Sequence, residues 1–128
     1  MAISSQISSR IFDGYRPAQR ENASPGWLLR GALANCEATV IAMRAAQQGL
    51  TLKILEVTVG SESDDRGLLG MSKTIPGGPL GVDIRVRIGA DGALPQQLRE
   101  IVEWAERCSP VGDAIRRAVP TRVEVEFA

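Results

Sequence analysis

"LGVDIRVRIG", residues 80–89, alternates apolar with charged or small side chains from end to end. Leu80, Val82, Ile84, Val86 and Ile88 fall on one face of an extended chain, and Asp83, Arg85 and Arg87 on the other. Successive side chains of a strand point to opposite sides. The pattern therefore predicts a strand with one face buried and one in water, paired antiparallel with its neighbour. A strand covered by helices on both faces would read as a continuous apolar run. The expected class is α+β with a mostly antiparallel sheet, rather than a doubly wound α/β fold.

Upstream, "LTLKILEVTV" (50–59) reads as a second strand that changes phase. Leu50, Leu52 and Ile54 alternate, and then Leu55, Val57 and Val59 take the opposite phase, which predicts a bulge near Leu55. Before it, Ser24 and Pro25 supply an N-cap oxygen and a first-turn proline, predicting a helix that runs to Gln48 with Gly49 as its left-handed cap. Leu29, Leu33, Cys36, Val40 and Met43 share one face of that helix, and small residues make a second. Arg30, Glu37 and Arg44 form a narrow charged stripe, read as an ion-pair ladder toward a partner chain. Ile3, Ile7, Ile11 and Phe12 suggest a further strand at the start, and residues 13–25 a loop.

Downstream, Pro95 opens a second main helix with Leu98, Ile101, Val102 and Ala105 on its apolar face and Cys108 continuing it. Ser109-Pro110 repeats the cap signal and starts a short third helix to about Ala118. "TRVEVEF" (121–127) closes the chain as a strand with Val123, Val125 and Phe127 inward. The expected order is β-α-β-β-α-α-β, in one domain over residues 1–128.

Fifteen acidic and fifteen basic residues cancel. Nothing in that balance favours nucleic acid or an anionic membrane as partner. No apolar run approaches the ~20 residues of a membrane helix. The opening "MAISSQISSR" lacks the charged and apolar regions of a signal peptide, so the sequence predicts a cytoplasmic protein. Histidine is absent. Cys-His and Ser-His pairs are excluded with it, and two cysteines alone do not close a zinc site. No metal or cofactor is expected.

That leaves two thiols. Cys108 lies just ahead of the third helix, where unpaired N–H groups and the dipole stabilise a thiolate. Cys36 lies within a helix on an apolar face, where burial disfavours the thiolate. To react it needs a cation or hydrogen-bond donor brought from elsewhere in the fold or from a partner. A buried cysteine is more often a small, inert hydrophobe, and periodicity alone favours that reading for Cys36 while leaving both open for Cys108. "PGGPLG" (76–81) precedes a strand and lacks a Lys-Ser/Thr ending, so it reads as a turn rather than a phosphate loop. Asp64 and Asp65 read as a solvated loop, and Trp27 and Trp104 as core or dimer contacts.

Two segments carry a resemblance. "SPGWLLRGALANCEATVIAMRAAQQGL" and "AERCSPVGDAIRRAVPTRVEVE" together resemble the OsmC/Ohr family of osmotically induced and organic-hydroperoxide-resistance proteins, in its OsmC-like subgroup. The second segment is similar to that family's Cys-Pro-Val run, with Ser109 inserted between Cys108 and Pro110. The resemblance covers about residues 24–128. It implies an intertwined homodimer in which the two cysteine helices pack between sheets built from both chains. It also implies a thiol peroxidase, active in the oxidative stress response, that reduces organic hydroperoxides. Cys36 would be the peroxidatic thiol and Cys108 the resolving one, with a dithiol as reductant.

Active members of the family carry a glutamate near the start of the cysteine helix, where this chain has Gly26 and Trp27. They also carry an arginine on an N-terminal strand that stabilises the thiolate. Arg10 and Arg16 match that arginine by rough location, and Glu21 is the nearest substitute carboxylate. The missing glutamate motivates an alternative function: a non-catalytic dimer that binds a small apolar ligand, or senses redox state, through the cleft around Cys36.

Overall fold

The computed structural model describes residues 2–10 by backbone and register, and residues 25–128 in full. The elements run β1 (Ala2–Arg10), α1 (Pro25–Gln47), β2 (Leu52–Asp64), α2 (Asp65–Leu68), β3 (Gly81–Ala90), α3 (Pro95–Cys108) and α4 (Pro110–Arg116). The three strands form one antiparallel sheet in the order β1-β2-β3. The α+β class with an antiparallel sheet is thus as the alternation in β3 implies. The phase change in β2 is a register shift between Leu52 and Ile54 against β3. Beyond it, Leu55, Val57 and Val59 all turn inward and are buried.

Helix α1 lies against this sheet, and α3 packs chiefly on α1. The core joins Leu33, Ala34, Ala38, Ile41 and Ala45 of α1 to Leu52, Leu55, Val57 and Val59 of β2 and to Ile101 and Ala105 of α3. Val82, Val86 and Ile88 of β3 pack on its edge, half buried. Gly49 holds φ +72° after α1, and the amide of Leu50 reaches back to the carbonyl of Ala45. This is the left-handed ending that a glycine at that position predicts.

Four expectations need correction. First, the C-terminal segment forms no strand. Residues 117–128 lack regular structure, and Val123, Val125 and Phe127 stand out in solvent, Phe127 at 94% exposure. An alternating segment forms a strand only where a sheet edge accepts it, and among the described residues this one pairs with none. Second, the inward face of α1 is rotated from the most apolar one. Arg30 and Glu37 are buried with Leu33, Ala34, Ala38 and Ile41, while Leu28, Leu29 and Met43 are exposed. Alanines at the contact let the helix approach the sheet closely, and the two charged groups find partners there. Third, Cys108 does not continue the apolar face of α3; it is exposed. Helix α3 ends at Cys108, and Ser109 takes an extended backbone (φ −64°, ψ 117°), so the next residue turns inward in its place. Fourth, Asp64 is not a solvated loop residue. It ends β2 and caps α2, accepting from the Arg66 amide at 3.1 Å and from its guanidinium at 3.0 and 2.6 Å. Those bonds hold the Asp64 carboxyl well below the usual carboxylate range.

Candidate active site

The site is built where the middle of α1 meets the start of α4. Proline at the first position and serine at the cap fix that start. Ser109 Oγ accepts the Gly112 amide at 3.0 Å, and the serine itself is fully buried, at 0% exposure. Its hydroxyl also donates to Cys36 Sγ at 3.2 Å. This is the donor that a thiol inside a helix needs, delivered from 73 positions along the chain. The signal for it was the serine that separates Cys108 from Pro110. The residue immediately before the proline faces Cys36, and here that residue is a serine, not the cysteine.

Cys36 is half buried, and its sulfur is in contact with the Ser109 hydroxyl. Cys108, one residue before Ser109, is exposed. Both are free thiols.

Glu37, the residue after Cys36, completes the cluster. It is 1% exposed. Burial pushes its carboxyl above the usual value, and the Ser109 hydroxyl and the positive charge of Arg116 pull it partly back. Gly112 sits in the middle of the group. A Cβ there would lie 3.1 Å from Glu37 Oε1, 3.1 Å from Ser109 Oγ and 3.2 Å from an Arg116 guanidinium nitrogen. The absence of a side chain at residue 112 lets the three groups converge. Arg116 in turn donates to the Glu106 carbonyl. On an ideal helix Glu37 points about 100° away from Cys36, so spacing alone does not bring the two together. The two are joined through a third residue that helical spacing does not reveal.

Three further site residues were named from sequence. Arg10 ends β1 in register with Glu56. Arg16 and Glu21 lie outside the described residues. Trp27, at the start of α1, is half buried. Arg30 is buried, donating to Ser61 Oγ at 2.9 Å. Arg44 stacks on the Trp104 ring at 4.6 Å. The proposed ladder of Arg30, Glu37 and Arg44 is therefore three separate contacts within one chain. Among the described residues no group of three or more His, Cys, Asp or Glu is arranged to hold a metal ion. No helix among them is long and apolar enough to cross a membrane.

The family model for OsmC-like proteins matches residues 18–124. The chain belongs to the OsmC-like family. Among solved structures, the fold of this OsmC-like chain is similar to that of an OsmC-like hydroperoxide resistance protein from Jannaschia sp. CCS1. The TM-score is 0.74 at 11% identity, over 98% of this chain and 94% of that one. No curated protein matches the sequence significantly.

Proposed function

We propose that this OsmC-like chain is a thiol-dependent peroxidase that reduces organic hydroperoxides, with Cys36 as the reacting thiol. The observation that carries the reading is the Ser109 hydroxyl at 3.2 Å from a half-buried Cys36 sulfur. A hydrogen bond donated to sulfur favours the thiolate, and the thiolate is the nucleophile. It attacks the distal peroxide oxygen, the O–O bond breaks, and the alcohol leaves with a proton. Cys36 is then a sulfenic acid. The Cys108 thiol condenses with it, giving a disulfide and water. An external dithiol returns both cysteines to thiols and is itself oxidised. Cys108 starts from an exposed position, so this second step draws the end of α3 toward α1.

The reading includes a homodimer. Leu28, Leu29 and Met43 on the outer face of α1, and Val123, Val125 and Phe127 in the C-terminal segment, are exposed in one chain. Glu124 and Glu126 alternate with the latter three. That is the pattern of a strand with one buried face, and a second copy supplies the sheet edge and the cover.

The test is consumption of cumene hydroperoxide in the presence of a dithiol. Cys36→Ser abolishes it on this reading, and equal rates for variant and parent would sink the proposal. Cys108→Ser is expected to accumulate the Cys36 sulfenic acid, detected as its dimedone adduct.

A further inference from the structure

The disulfide step of the cycle above asks Cys108 to reach Cys36, and the place opposite that sulfur is already filled. Ser109 is fully buried there, with its Oγ 3.2 Å from Cys36 Sγ, while Cys108 is exposed. Ser109 has extended backbone, so the two neighbouring side chains point to different sides. A disulfide of about 2 Å needs both sulfurs turned toward each other, with Cα atoms roughly 4.4–6.8 Å apart. The packing beside the serine is tight. A single Cβ at Gly112 would lie 3.1 Å from Ser109 Oγ and 3.1 Å from Glu37 Oε1. Cys108 therefore reaches Cys36 in place of Ser109, not alongside it.

Ser109 is also what holds the start of α4. Its hydroxyl accepts the Gly112 amide at 3.0 Å, and its carbonyl accepts the Asp113 amide at 2.8 Å. Its own amide donates to the Ala105 carbonyl at 2.7 Å and closes the last turn of α3. Pro110 follows, with a fixed φ and no N–H. A rotation that brings Cys108 inward is not absorbed there. It falls on Cys108 and Ser109 themselves and turns the serine out.

We propose that forming the Cys36–Cys108 disulfide puts Cys108 in the place of Ser109 and uncaps α4, which makes the α3–α4 junction a redox-driven switch. With both thiols reduced, the serine is inside and α4 is capped. With the disulfide formed, Ser109 Oγ leaves both Cys36 and the Gly112 amide, and α4 loses its first bonds. A helix of seven residues is too short to hold itself together in water, so α4 loosens with its cap. Reduction returns the serine and restores the helix. The work of opening the junction makes the disulfide easier to reduce, which suits a cycle closed by an external dithiol.

The inference rests on the disulfide of the proposed cycle, and its test uses no peroxide. Diamide makes the bond directly. The Cys36 thiolate adds to its N=N bond, and the Cys108 thiol then displaces that nitrogen. The two thiols give up two electrons and two protons, and the diazene becomes a hydrazine. Mass spectrometry of the joined peptides confirms the link. Amide hydrogen exchange is then read by NMR on the reduced and oxidised forms. The Gly112 and Asp113 amides are expected to exchange about tenfold faster in the disulfide form, the scale of losing a good N-cap. Amides of α1 and of the first turns of α3 keep their rates. In Ser109→Ala the Gly112 amide is expected to exchange fast already when reduced, with little further change on oxidation.

A disulfide that forms with Gly112 and Asp113 still protected overturns the proposal, because the thiols then meet with Ser109 in place. Failure of diamide to join Cys36 and Cys108 within one chain overturns it as well. So does a rise in amide exchange across the whole chain on oxidation, which is general unfolding rather than a local switch. All three are read on the unaltered protein, so a misfolded Ser109→Ala does not remove the test. An α4 that loosens as expected, without hydroperoxide turnover, leaves the switch standing and removes only the peroxidase reading.

Discussion

The two faces of α1 are sorted against expectation. The face turned to the sheet holds Arg30 and Glu37 among alanines, Leu33 and Ile41, and the face turned to solvent holds Leu28, Leu29 and Met43. Hydrophobicity alone would reverse them. The inward face is chosen by fit and by polar partners: alanines let the helix lie close to β2, Ser61 receives Arg30, and Ser109 meets Glu37. The outward face keeps large apolar groups that one chain does not cover, as a helix with a second neighbour does. On the proposed dimer, the inner face would hold the chain together and position the chemistry, and the outer face would meet the second copy.

The largest effect that separates the faces is expected from paired truncations. Ile41 is fully buried, and Ile41→Ala removes core volume at a cost of about 2–5 kcal/mol, the same at every protein concentration. Met43→Ala costs under about 0.5 kcal/mol in a chain whose outer face stays in water. With a second copy on that face the loss is larger and grows on dilution. Urea melts at two concentrations read both. Equal, concentration-independent losses would mean that the faces do not differ.

A smaller effect, about 1–3 kcal/mol, is expected for Gly112→Ala, because the added methyl must displace a neighbour in a close-packed site. Its nearest atoms are Glu37 Oε1 and Ser109 Oγ, both at 3.1 Å. Displacing the hydroxyl also loosens its 3.2 Å contact with Cys36. Alkylation of Cys36 is therefore expected to slow about tenfold at neutral pH, as small misplacements at reacting centres do. A normal melting temperature with an unchanged alkylation rate would show that the inner face has slack.

How far these features could be read in advance depends on how local their causes are. Pro95, Ser109-Pro110 and Gly49 act within a turn of themselves, and α3, α4 and the end of α1 follow from them. The alternation in β3 and the phase change in β2 are likewise local, and the antiparallel sheet follows. The inward face of α1 was not legible, because Leu28, Leu29 and Met43 signal burial without saying against what. "TRVEVEF" misled for the same reason: alternation declares a strand but does not provide its partner. Ser109 was legible as a helix cap. Its contact with Cys36 is tertiary, and only the inserted residue before Pro110 hinted that a serine would occupy the inward position.

The smallest effect concerns the polar part of the inner face and turns on a sign. The Glu37 carboxyl lies above its ordinary value of 4.5, chiefly through burial, with Ser109 and Arg116 pulling it back and Glu106 adding to the rise. Between the ordinary and the raised value the folded state holds a proton that the unfolded chain has released. Stability therefore falls as pH rises through that window, and the cost is fully present above the raised value. Asp64 acts in the opposite direction, because Arg66 depresses it and its stabilisation is lost only as pH falls well below the ordinary carboxylate range. Glu37→Gln leaves Asp64 in place and removes only the first dependence. The variant's melting temperature, relative to the parent, is expected to be most favourable above the raised value, by a few degrees. The advantage should shrink as pH falls through the window and vanish below it, where the parent carboxyl is neutral as well. A difference that grows toward low pH would mean that Glu37 is stabilised as an anion, and that the inner face of α1 holds its charge in a satisfied ion pair rather than at a cost of burial.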